Sequence, residues 1–334
     1  MPFKDIVVSG TRSTGFLHLG NYFGAVRQYI AMQEAYDCYY FIADYHALTT
    51  HPNPDDMHEN EKNVLVEYLA CGVDPDKCTL YLQSDLPQIP ELYLFFNMHA
   101  YKGELERVVT FKEKARKQPD NVNAGLLTYP TLMAADILIH KGTKVPVGKD
   151  QEQHLEMTRT FAQRFNQKHG KEIFPEPVAF NYGKKLVKVP GLDGSGKMGK
   201  SEAEGNAVFL RDTPEEIRKK VMKAVTDTGV TEPNQPKSVG VANLFALMEL
   251  VSKPETIVHF EEQYNAMKAR YGDMKKQLAE DIITFTAPIR EKIEAISKDD
   301  AYLRKVVEQG TEKARISADR TLKEVREAIG FRKF

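Results

Sequence analysis

Residues 5–21 read DIVVSGTRSTGFLHLGN, and the order of residue types in this stretch decides the fold class. Asp5–Ser9 is a short apolar, β-branched run, the composition of a buried strand. Gly10, Gly15 and Gly20 then let the chain turn sharply and admit a ligand with no Cβ in the way. A helical pattern follows to about Ala35. Its first turn offers unpaired N–H groups and a positive dipole end, both suited to phosphate. His18 and Asn21, three apart, share one side of that turn. The dinucleotide fingerprint G-x-G-x-x-G is absent. Taken alone, the glycines fit a tight strand-to-helix turn equally well.

Working outward, Tyr39–Ala43 (YYFIA) and Leu80–Gln83 (LYLQ) are further strand candidates, with a helix predicted over Asp56–Cys71 between them. Short strands alternating with helices imply a parallel, doubly wound sheet. Ligands bind such sheets beyond the carboxyl ends of the strands, where Ser9–Thr14 and Asp44–His46 fall. Residues 87–142 read as a mostly helical insertion, broken by the polar KQPDNVN at 117–123. A short strand at Val145–Val147 and a helix at Gln151–Lys168 follow. From residue 205 onward five helical patterns run without a strand between them. The expected architecture is α/β: a Rossmann-like catalytic domain over 1–204 and an α-helical bundle over 205–334.

Bulk properties narrow the function. Hydrophobic residues make up 42% and charged residues 28% of the 334, a balance that folds into a sizeable core. No apolar run approaches the roughly 20 residues that span a bilayer, and the N-terminus does not read as a secretory signal, so a cytoplasmic protein without membrane contact is expected. Three scattered cysteines (Cys38, Cys71, Cys78) suggest neither a disulfide framework nor a metal site. The net charge of −1 argues against a general nucleic-acid binder, yet residues 301–334 hold nine Lys/Arg against five Asp/Glu. That excess could form a local face for a phosphate backbone or simply a solvated helix face.

A second constellation, Lys197-Met198-Gly199-Lys200-Ser201, follows the Gly-rich stretch 191–196. Two lysines three apart in such a loop can meet a leaving pyrophosphate as its charge develops; a plain linker is the alternative. In the insertion, Tyr129, Met133 and Asp136 have i, i+4, i+7 spacing and so share one helical face. An aromatic ring, a thioether and a carboxylate could make a flat pocket with one hydrogen-bond acceptor. A buried Asp also serves as a structural hydrogen-bond partner.

HLGN after the first strand, paired with KMGKS, resembles the HIGH and KMSKS signatures of class I aminoacyl-tRNA synthetases. The stretches GELER (103–107), FKEK (111–114), GLLTYP (125–130), MAADIL (133–138), VPVG (145–148) with Asp150-Gln151 and His154, and AVTD (224–227) resemble the tryptophanyl branch. The likeness spans essentially the whole chain.

The resemblance implies adenylation of L-tryptophan by ATP and transfer to tRNA(Trp), with Mg2+ bound mainly through the phosphates. It also implies a homodimer formed through the insertion and an anticodon platform in the C-terminal half. His18, Asn21, Lys197 and Lys200 would be catalytic. Arg12, Ser13, Thr14, Gly20, Gly148, Lys149, Asp150 and Val189 would bind ATP, together with the loop Met198, Gly199 and Ser201. Asp136 would read the indole nitrogen, beside Tyr129, Met133, Gln151 and His46. Gly199 replaces the usual middle serine, Asn21 a second histidine, and Arg12 and Lys149 the more frequent Gln and Glu. The C-terminal cysteine cluster of some relatives is missing. A tyrosyl enzyme, whose phenol Asp136 could also read, and a non-catalytic tryptophan sensor are the rivals. A sensor would be expected to lack His18, Lys197 or Lys200, and all three are present.

Overall fold

The computed structural model describes residues 5–148, 151–182, 187–199 and 205–331. Five parallel strands form one sheet in the order β3-β2-β1-β4-β5: β1 Ile6–Thr11, β2 Asp37–Ile42, β3 Thr79–Leu82, β4 Lys144–Val145 and β5 Val178–Ala179. Ile6 pairs with Asp37 and Thr11 with Ile42, while Tyr39 pairs with Thr79. The three long strands are apolar almost throughout, as parallel strands covered on both faces must be. Alternate side chains therefore serve two cores. Val7, Tyr40 and Leu80 face one, which continues into Leu210, Leu244 and Leu278; Val8, Tyr39 and Phe41 face the other.

The expected strands and long helices are present, with ends shifted by a few residues. The helix after β1 is not uniform: a π turn at Tyr22–Val26 joins Leu19–Asn21 to Arg27–Met32. β4 sits one residue earlier than expected. β5, which the sequence did not reveal, is two exposed residues long and carries no core signal.

The last helix, Asp300–Ile329, does more than close the bundle. Gly310 packs on β3 so closely that a Cβ there would lie 1.7 Å from the Leu80 carbonyl oxygen. Further along the same helix Ala314 and Ala318 are fully buried in the sheet's second core. Gly310→Ala is expected to cost about 1–3 kcal/mol by overpacking. Gly103→Ala, with nothing within 4 Å of the new methyl, should be neutral or mildly stabilising. Equal melting temperatures for the two variants would contradict this packing.

Candidate active site

Beyond the carboxyl ends of β1 and β4, where the strand order reverses, lies a cavity of about 250 Å3. Arg12, His46, Tyr129, Met133, Asp136, Gly148 and Gln151 all line it. The structure thus gathers residues from β1, from the turn after β2, from the insertion and from the segment after β4. The helix Tyr129–Leu138 places Tyr129, Met133 and Asp136 on one face, as their spacing predicts.

Asp136 is 1% exposed and is held from two sides. His46, on the single-turn helix Asp44–Ala47 after β2, lies with Nε2 2.8 Å from Oδ2. Gln83, at the end of β3, donates from Nε2 to Oδ1 at 2.7 Å. Its Oε1 accepts the His46 backbone N–H at 3.4 Å. Burial raises the Asp136 carboxyl above its ordinary value, and the bonds from His46 and Gln83 offset only part of that rise. Against an ionised Asp136, the proton of His46 sits on Nε2. Each carboxylate oxygen has a second lone pair, so a further N–H can be accepted. The hydrogen-bonded and the cavity-facing readings of Asp136 therefore describe one arrangement. Gln83 was not singled out from the sequence; its sign was an amide at the carboxyl end of an otherwise apolar strand. On the cavity's other side, His154 Nδ1 lies 2.8 Å from Gln151 Oε1, and its Nε2 lies 2.7 Å from Thr110 Oγ1.

The two signatures meet at the first helix. The His18 backbone N–H donates to Asn21 Oδ1 at 3.0 Å, and the Asn21 backbone N–H donates to His18 Nδ1 at 3.3 Å. This reciprocal cap fixes the neutral His18 ring with its proton on Nε2. Segment 208–210 runs antiparallel beside it, with Leu19 N–H donating to the Val208 carbonyl and Leu210 N–H to Leu17. Met198 is buried, donates its N–H to the Val189 carbonyl at 2.8 Å, and packs on Gly20, where a Cβ would lie 3.4 Å from that of Met198. Val189 is itself buried and its carbonyl is taken by Met198. Lys197 is exposed and Gly199 partly so, while Thr14 stands at the surface. Ser13 Oγ and Arg12 Nε are buried with no partner among the described residues. Lys149, Asp150, Lys200 and Ser201 lie outside the described residues.

Lys114, on the helix Val109–Lys117, reaches over the Tyr129 ring with Nζ 4.4 Å from its centre. Burial, and after it the charge of Arg12, push its ammonium down to about 8. Two cations are thus held close together beside the cavity.

The family model for class I tRNA synthetases (W and Y) matches residues 4–287. The chain belongs to this family. A tryptophan–tRNA ligase of Porphyromonas gingivalis is 61% identical over 328 residues, covering 98% of this chain and all of that protein. The Fusobacterium nucleatum tryptophan–tRNA ligase is 40% identical over 326 residues, 97% of each chain. The tryptophanyl-tRNA synthetase of Campylobacter jejuni, solved with ADP and tryptophan, superposes with a TM-score of 0.86 at 33% identity, covering 97% of this chain and 99% of that one.

Lys114 must be charged to attract a phosphate. Affinity for ATP is therefore expected to hold near pH 7 and to fall as pH rises through about 8. Above that point the affinity should fall to the level of the uncharged form and then stay flat. Lys114→Gln should bind more weakly at pH 7 and lose this dependence. A wild-type profile level to about pH 9 would exclude Lys114 from the ATP site.

Proposed function

We infer that this chain is a tryptophan–tRNA ligase. The carrying observation in the fold is Asp136, a buried carboxylate fixed by His46 and Gln83 and facing the cavity. A site built around one acceptor takes the indole N–H and rejects side chains that leave the acceptor unpaired. The full-length likeness to tryptophan ligases decides against the tyrosyl enzyme and the sensor.

In the first step a tryptophan carboxylate oxygen bonds to the α-phosphorus of ATP, the bond from that phosphorus to the β-bridging oxygen breaks, and pyrophosphate leaves. In the second a 3′-terminal ribose hydroxyl of tRNA(Trp) attacks the adenylate's carbonyl carbon and AMP leaves. No side chain acts as a nucleophile; positioning and charge carry the rate. His18 would donate from Nε2 to a phosphate oxygen. Asn21, Gly20, Arg12, Ser13 and Thr14 would form the cradle, with Gly148, Lys149, Asp150 and Val189 towards the nucleoside. Lys197, Lys200 and Ser201 would close over the triphosphate, carried by Met198 and Gly199. Tyr129, Met133, Gln151 and His46 would enclose the amino acid. Magnesium enters with ATP as substrate, held by phosphate oxygens and its own waters; no cluster of three His, Cys, Asp or Glu among the described residues offers a protein cage.

Residues 1–204 would carry the chemistry and 205–334 the anticodon platform, since sequence-specific RNA reading targets unpaired bases. Leu94, Met98, Tyr101 and Val109, all at least half exposed on the insertion, support a homodimer through that face. No helix among the described residues is long and apolar enough to cross a membrane, and work on tRNA supports a cytoplasmic enzyme.

Pyrophosphate–ATP exchange, run with tryptophan, tyrosine and phenylalanine, should proceed with tryptophan alone. Asp136→Asn puts a donor where an acceptor is needed and should lower kcat/KM for tryptophan by about 100-fold. Equal exchange with tyrosine, or an unimpaired Asp136→Asn variant, would overturn the assignment.

A further inference from the structure

The lysine-loop signature emerges from residues 191–196, and this base is clamped from outside. Within it, Gly191 N–H donates to the Ser195 carbonyl, and Ser195 N–H donates to Asp193 Oδ1 at 2.9 Å. The result is a closed turn whose Gly191 and Ser195 carbonyls can each accept from outside. Asn243, on the helix Val239–Val251, supplies both donors: its one amide group donates to the Gly191 carbonyl at 3.3 Å and to the Ser195 carbonyl at 3.0 Å. A second clamp is backbone. Val225 N–H donates to the Leu192 carbonyl at 2.8 Å. Residues 224–227 are in turn fixed by the helix Tyr271–Ile296, where Tyr271 donates to Asp227 Oδ1 at 2.6 Å and Lys275 to the Ala224 carbonyl at 2.7 Å. Gly240 presses on the same segment, leaving no room for a Cβ, which would lie 2.4 Å from the Val225 carbonyl oxygen.

We propose that Asn243 is a positioning residue for adenylation: it and the AVTD segment form a bracket by which the C-terminal helices set where Lys197, at the start of the lysine loop, stands. Asn243 is one of the few side chains that could do this, because two carbonyls facing one group demand two N–H donors and no acceptor. None of the bracket residues lines the tryptophan cavity. The bracket acts on the loop alone, and so on the ATP half of the reaction. The proposal rests on the reading of Lys197 as phosphate-facing.

Asn243→Asp tests it. The isosteric carboxylate keeps the shape, removes both donors and sets negative charge against two carbonyls. In the full-length enzyme the exchange kcat should fall about tenfold or more. Tryptophan affinity, read from ligand fluorescence in a chain with no tryptophan of its own, should stay unchanged. Tyr271→Phe, a milder cut in the same bracket, should give a smaller loss of the same kind. Normal exchange in Asn243→Asp, while Lys197→Ala abolishes it, would overturn the bracket and leave the reaction assignment intact. Parallel loss of tryptophan binding, exchange and melting temperature in both bracket variants would also overturn it, as a merely structural contact. Full exchange in Lys197→Ala would instead remove the reading on which the proposal rests.

Discussion

A carboxylate buried to 1% exposure is the constraint to which the rest of the site answers. Left alone, such a group would lose its charge or destabilise the fold. Here the ends of β2 and β3 each send one donor to it, from His46 and Gln83, while the insertion helix carries it. Three separate parts of the chain must therefore be in register before the carboxylate is stable. The bonds that make Asp136 tolerable also determine which lone pairs still face the cavity. The contacts that stabilise the carboxylate also shape the cavity beside it, and the Tyr129 ring lies tilted against His46 with ring centres 4.3 Å apart.

The turn that carries the first signature is positioned by backbone and capping hydrogen bonds. The reciprocal cap of His18 and Asn21 orients one ring, and the strand-like segment 208–210 fixes the turn from the other side. Met198 lies against Gly20, so the two signatures, about 180 residues apart in sequence, touch through a methionine and a glycine. Three cations stand out in this half of the molecule: Arg12 lines the cavity, Lys114 lies close enough to feel its charge, and Lys197 is exposed.

How much of this could be read in advance follows from what periodicity encodes. The apolar runs of β1, β2 and β3 and the one-faced spacing of Tyr129, Met133 and Asp136 are local patterns, and each was readable. β5 was not, because two exposed residues pair only by grace of β4 beside them. Gln83 was hidden for a related reason: one polar residue at a strand end acquires meaning only when β2 and the insertion helix are placed around it. The same holds for Gly310, whose need for hydrogen at Cα arises from Leu80, some 230 residues earlier. Resemblance of the chain to a known branch supplied roles for residues that spacing left ambiguous, such as His46. It did not supply the partners of Asp136.

The most direct measurement compares the binding of tryptophan with that of its benzothienyl analogue, in which sulfur replaces the indole N–H at nearly the same shape. If Asp136 reads that N–H, the analogue should bind about 100-fold more weakly, or worse, because it leaves a buried carboxylate without its partner. The difference should shrink in Asp136→Asn. Equal affinities for the two ligands in the wild-type enzyme would show that shape alone selects the substrate, and would contradict the central role given to Asp136.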